Sequence, residues 1–190
     1  MMQDDDRPMA PLAGLVVENR LALSQLREFI EDLTPTDYCC SLGSGGRHSI
    51  GRHLRHIIDH YDALLSGAMG GRVDYERRRR EVTLEQWPAE ARARLEDIDM
   101  CLARLGGAPP SEELSIDYPV DGSDCQVLAS SLARELAFLT SHTIHHMAIL
   151  GLLAESLDIG LPATFGVHPS TLRHWEQSAR PQADKRSEIA

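Results

Sequence analysis

The sequence has no apolar run long enough to cross a bilayer. The longest, Ala148 to Ala154, falls far short of the ~20 residues a membrane-spanning helix needs. Met1 to Ala10, with Asp4, Asp5 and Asp6 in succession, lack the basic start and apolar stretch of a secretory signal. Positive charge is scarce: 19 Lys and Arg stand against 29 Asp and Glu, for a formal charge of −10. A surface of that sign repels phosphate backbones and anionic lipid, so neither nucleic acid nor membrane is an expected partner. The one basic cluster, Arg77 to Arg80, lies between Glu76 and Glu81 and reads as a solvated loop. Four cysteines (Cys39, Cys40, Cys101 and Cys125) show no CxxC spacing, as expected of reduced thiols in a cytoplasmic protein. There is no Walker A loop, nucleophile elbow or dinucleotide fingerprint, and no internal repeat.

What remains is a chain of 190 residues, 42% hydrophobic, enough for one well-packed domain and short for two. Apolar residues recur at three- and four-residue steps over four stretches, which predicts four long helices. The first runs from about Pro11 to Leu33, with Asn19 inside its apolar stripe and needing a buried partner. A glycine-rich loop follows, and Ser49 is the expected N-cap of a second helix over Ile50 to Ser66. After a polar loop, Gly70 to Val82, a third helix starts near Trp87 and Pro88 and stops at Gly106, Gly107, Pro109 and Pro110. Leu114, Ile116, Tyr118 and Val120 alternate with polar residues and Pro119. With a turn at Asp121 and Gly122 they predict a small hairpin to Cys125–Leu128. The last long helix spans about Ser131 to Leu157, and a short one follows around Ser170 to Gln177. Residues 1–10 and 179–190 are expected to be flexible, flanking a single domain over 11–178.

Nine histidines are present, six of them on two of these helices. On the second, His53, His56 and His60 share one face. On the fourth, His142 and His146 are four residues apart, with His145 beside them. Four residues advance only about 40° around a helix, so such a pair can present two imidazoles to one ion. His142 and His146 are expected to point into the stripe of Leu132, Leu139, Leu150 and Leu153. There neutral imidazoles lack partners unless a metal or carboxylates supply them. Helical period alone does not decide which histidine of the second helix joins them. The apolar face centres near Tyr61, which leaves His53 and His60 at least as close to the core as His56. Familiar patterns are excluded: no Glu follows His142 as in His-Glu-x-x-His, and no Glu-x-x-His occurs as in di-iron bundles.

The run Ser49-Ile-Gly-Arg-His-Leu-Arg-His-Ile-Ile-Asp-His60 resembles the Ser-Ile-x-x-x-x-x-His-Ile-x-Asp stretch of the DinB/YfiT-like family. Arg134-Glu-Leu-Ala-Phe-Leu-Thr-Ser-His-Thr-Ile-His-His146 is similar to its His-x-x-His-His segment, and Phe165-Gly-Val-His-Pro-Ser-Thr171 to the tail of one subgroup. The resemblance covers about Leu12 to Trp175. It implies an all-α, up-down-down-up four-helix bundle, here with a small β-hairpin before the last long helix, and a divalent metal on three histidines. Carried over by position, the ligands are His56, His142 and His146. Zinc is the expected ion, with nickel, iron or manganese as alternatives. Met147 stands where many members carry an arginine.

Three imidazoles leave a coordination position open, the arrangement of a catalytic metal site. Characterised relatives are thiol-dependent transferases or isomerases, and some are hydrolases. The resemblance therefore implies a metal-dependent enzyme that activates a low-molecular-weight thiol or water for group transfer or hydrolysis of a small molecule, working as a homodimer. The alternative is a non-catalytic dimerisation module stabilised by its ion. Asp59 is a candidate to orient His56, and Glu135 to accept an imidazole N–H. Tyr75, Arg78 and Arg80 are candidates to receive an anionic substrate group. No catalytic residue is assigned.

Overall fold

A computed structural model describes residues 11–105, 113–120 and 125–179. The expected Asp121–Gly122 turn, the stop at Gly106 to Pro110 and the end segments 1–10 and 180–190 lie outside the described residues. Four long helices form the main body: α1 (Pro11–Glu31), α3 (Ile50–Ala68), α5 (Pro88–Leu105) and α6 (Leu132–Ser156). Shorter elements connect them: α2 (Pro35–Cys39), β1 (Arg72–Asp74), α4 (Thr83–Gln86), β2 (Glu113–Pro119) and β3 (Cys125–Ser131), with α7 (Pro169–Ala179) last. Helices α1 and α3 each lie against both α5 and α6, so the four enclose one core. All four cysteines are free.

The helices begin where side chains can satisfy their first N–H groups. Ser49 Oγ accepts from Arg52 N at 3.2 Å to start α3, and Ser131 Oγ accepts from Arg134 N at 3.3 Å to start α6. Leu54, Ile57, Ile58, Tyr61 and Leu64 of α3 are fully buried, as are Leu132, Leu136, Leu139 and Leu150 of α6. By length and composition alone α6 matches a membrane-crossing helix, although no uninterrupted apolar run does. Five of its leucines, Leu132, Leu136, Leu139, Leu150 and Leu153, are buried in the core, while Leu152 is exposed.

Asn19 finds its partners inside. Its Nδ2 donates to the carbonyls of Leu15 (2.8 Å) and Leu136 (3.0 Å), and its Oδ1 accepts from Tyr61 Oη at 2.7 Å. Thr143 Oγ1 donates to the same Tyr61 oxygen at 3.2 Å. One polar cluster thus ties α1, α3 and α6 in register, directly beside His142.

The structure differs from expectation in three places. The hairpin is the antiparallel β2–β3 pair, but β1 joins β2 in parallel, pairing Val73 with Ile116, to make three strands. A three-residue strand has no alternation to read, and its pairing is remote in sequence. The polar loop therefore starts from a sheet edge, and it folds back over the histidines. Lastly, His142 and His146 are partly buried beside the apolar stripe, whose buried positions there are Thr143, Met147 and Leu150.

Helix α4 packs on the first turn of α3 so tightly that a Cβ on Gly51 would lie 2.2 Å from Glu85 O and 2.7 Å from Tyr38 Cε1. Tyr38 is itself held, donating to Leu84 O at 2.6 Å. Gly51→Ala is therefore expected to cost about 1–3 kcal/mol by overpacking, read as a lower urea midpoint at unchanged slope.

Candidate metal centre

Helices α3 and α6 face each other with their histidines between them. His56 Nε2 lies 3.2 Å from His142 Nε2, and the His60 and His142 ring centroids are 4.2 Å apart. One nitrogen from each of His56, His60 and His142 lies within 4.8 Å of the others. His146 borders the same space, its centroid 4.5 Å from His56 and 4.6 Å from His142. Its Nδ1 meets His53 Nδ1 at 3.1 Å. His48, returned by the glycine-rich loop, reaches His53 at 3.4 Å, and His145 is exposed. Of the three histidines expected from the family resemblance, His56 and His142 are in direct contact and His146 flanks them; His60 completes the tightest trio.

Hydrogen bonds set the rings. A nitrogen 2.8 Å from a carbonyl must carry the proton, so His60 Nδ1–H donates to His56 O and leaves the Nε2 lone pair free. Arg78 Nη1 donates to His56 Nδ1 at 3.0 Å. The Arg78 side chain is 13% exposed, and its buried Nε has no partner among the described residues. Burial, then neighbouring imidazoles and Arg78, push His56 down to about 3 and His142 to about 4. Burial, then the other imidazoles, push His146 to about 3. Burial lowers His53 and His60 as well. All five rings are neutral at physiological pH, the form in which imidazole ligates a metal.

The spacing fits an ion. Two nitrogens bound tetrahedrally at 2.0–2.1 Å stand about 3.3 Å apart, close to the His56–His142 separation. The donor set of neutral imidazoles suits zinc, nickel or iron better than magnesium or calcium, which take oxygen ligands.

The other expected residues divide. Asp59 is buried, and the side chain that pairs with it is Arg55, through Nη1 at 3.2 Å, not His56. Arg80 is exposed, with its backbone at φ 53°. Glu135 is fully buried and accepts from Tyr75 Oη at 2.8 Å, Arg134 Nη1 at 2.7 Å and Ser130 Oγ. Its recorded partners include no imidazole; it reaches the histidines through Tyr75, whose ring stacks on His60 at 5.5 Å. Burial and the Glu135 carboxylate raise the Tyr75 phenol, which stays protonated. Sequence reasoning did not single out His60 as a donor, nor Phe138 as the ring between Tyr75 and His142. The signal for His60 was its place on the apolar face of α3; Phe138 left none.

Comparison with known proteins gives a partial relative and a family. The chain is 29% identical over 104 residues to a Rhizopus delemar protein named FK506-binding protein 5. The match takes in 54% of this chain and 27% of that protein, so the chain spans about a quarter of its relative. The family description "DinB superfamily" matches residues 19–150, which include the second-helix histidines and both His142 and His146. The chain belongs to the DinB superfamily.

Proposed function

We propose that the protein is a metal-dependent enzyme of the up-down-down-up DinB type. One divalent ion, zinc in the first instance, sits on His56, His142 and a third imidazole. The observation that carries this is the convergence of three neutral imidazoles from two helices, one nitrogen each from His56, His60 and His142 lying within 4.8 Å of the others. His146 is the third donor by family resemblance. His60 is the competing reading, favoured by its Nδ1–H bond to His56 O, which orients Nε2 as outer hydrogen bonds orient ligands. A divalent ion so held lowers the pKa of a thiol or water placed in its open position.

The chain's own residues do the rest. A neutral His56 ligating through Nε2 carries its proton on Nδ1 and no longer accepts from Arg78. The guanidinium is then available to an anionic group on the substrate, beside His56 and His60. Tyr75 is held by the buried Glu135, so the wall beside His60 is rigid. A free thiol, with a pKa of about 8.5, is mostly protonated at neutral pH, which sets the problem that such a site solves. The same reading includes a homodimer, for which α6 offers exposed Ala148 and Leu152.

The test is addition of small thiols to an electrophile panel by zinc- or nickel-loaded protein. Rates above the metal-free protein, abolished in His142→Ala, are expected. Stoichiometric metal with no rate above background would favour a metal-stabilised, non-catalytic module.

A further inference from the structure

A cavity of ≈ 350 Å³ lies beside the histidines, between the β2–β3 hairpin, the turn after β1 and α6. A second cavity of ≈ 330 Å³, next to Phe29 and Phe165, touches no histidine. The first is joined to the metal centre by a closed circuit of four rings. His60 and His142 are 4.2 Å apart, His142 and Phe138 5.5 Å, Phe138 and Tyr75 5.6 Å, and Tyr75 and His60 5.5 Å. Three of these rings, His60, Tyr75 and Phe138, line the cavity, and Tyr118, Ile116 and Leu128 line it too. Tyr118 and Leu128 are 55% and 43% exposed, although both are large and apolar. Exposed apolar side chains gathered at a concave site mark a surface that a ligand covers.

The charges on the lining are unequal in availability. Asp117 is held by Arg72 through bonds of 2.8–2.9 Å, and Glu76 lies 4.0 Å from Arg78. Arg134 is the cation of the lining. Its guanidinium carbon sits 5.6 Å from the Phe138 centroid, and it is 63% exposed. It gives one N–H to Glu135, and a guanidinium carries five. Stacked over a ring and anchored at one corner, it presents the remaining fork at a fixed place.

We infer that this cavity binds the substrate's body, and that the substrate is a planar aromatic or conjugated carboxylate. Its ring stacks on Tyr75 and meets Phe138 edge-on, the two side chains being tilted 56° to each other; its carboxylate meets Arg134, and its far edge lies against His60. At about 30 Å³ per water-sized group the cavity holds roughly ten to fifteen non-hydrogen atoms. Offset stacking on one ring with an edge-to-face contact to the other favours a flat π-system over a saturated ring of equal size, and a charge-assisted bond to the guanidinium favours an anion over its neutral amide. The inference deepens the enzyme reading by naming its electrophile. Apart from His60, the pocket itself stands on side chains that neither ligand set includes.

The probes are 2-naphthoate, its neutral analogue 2-naphthamide, and cyclohexanecarboxylate, titrated calorimetrically into the full chain, metal-free and zinc-loaded. The expected order is naphthoate tightest, with the other two about tenfold weaker. In Arg134→Gln the preference for naphthoate over naphthamide disappears. In Leu128→Trp, at an exposed strand position where folding is not at stake, naphthoate weakens by about tenfold or more as the cavity fills. Metal content is measured on every sample and is expected to be unchanged in both variants. Equal binding of naphthoate and naphthamide by wild type would overturn the inference, as would undiminished binding by Leu128→Trp. Naphthoate binding that needs zinc and ignores Arg134→Gln would place the carboxylate on the ion and overturn it too. A protein that binds naphthoate as expected but holds no metal would instead count against the metal-enzyme reading alone.

Discussion

His56→Ala and His142→Ala are each expected to purify with little or no bound metal after growth in zinc-supplemented medium, while wild type holds about one equivalent. These two rings come from different helices and meet nitrogen to nitrogen, so removing either takes away one of the two central donors and leaves at most two imidazoles. Affinity falls steeply with donor number, and even loss of an outer orienting contact typically costs about 10–100-fold. His145→Ala is expected to keep its metal, because that ring is exposed. The comparison of His60→Ala with His146→Ala decides the third donor: the variant with the greater loss names it. Metal analysis after gel filtration reads all five. Full metal content in His56→Ala or His142→Ala would remove the site.

Acidification is expected to release the ion and weaken the fold together, over a window lower than free histidine suggests. The folded-state values of about 3 for His56, 4 for His142 and 3 for His146 lie below the ordinary imidazole value. As pH falls past about 6.5 the unfolded chain takes up protons that the folded chain refuses. Stability is therefore complete above that pH and declines as pH drops toward 3–4. The bound ion adds stability in proportion to its occupancy, and that addition disappears when protons displace it. Metal is expected to be retained at about pH 5.5 and lost between about pH 5 and 3. Thermal melts of holo and apo protein are expected to diverge at neutral pH and converge at the acid end. Release complete by pH 6 would mean that the rings are far better solvated than their packing indicates.

The four long helices were legible because each has a continuous apolar stripe and a clear start. Ser49 caps α3 as its sequence position suggests, and Asn19, out of place in a stripe, marked a buried hydrogen-bond cluster. A histidine site shared by α3 and α6 was legible from an i, i+4 pair opposite a second histidine-bearing helix, whereas His56 as the α3 member came only from the family resemblance. The neighbourhood of the site was not. His53, His56 and His60 share one face of α3, and what separates them is a bond within the helix, His60 Nδ1–H to His56 O. Tyr75 and Arg78 reach the site because β1 adds in parallel to a strand some forty residues on. No local periodicity encodes that pairing. Glu135, in sequence a candidate acceptor for an imidazole N–H, instead accepts from Tyr75, Arg134 and Ser130. Its full burial follows from the way β3 runs directly into α6 and brings Ser130 onto it.

X-ray absorption at the metal edge of protein loaded with one equivalent of zinc tests the central claim most directly. The account predicts a first shell of nitrogen and oxygen at about 2.0–2.1 Å, with outer-shell scattering from three imidazoles. Sulfur at about 2.3 Å, or scattering from fewer than two imidazoles in wild type, would contradict it.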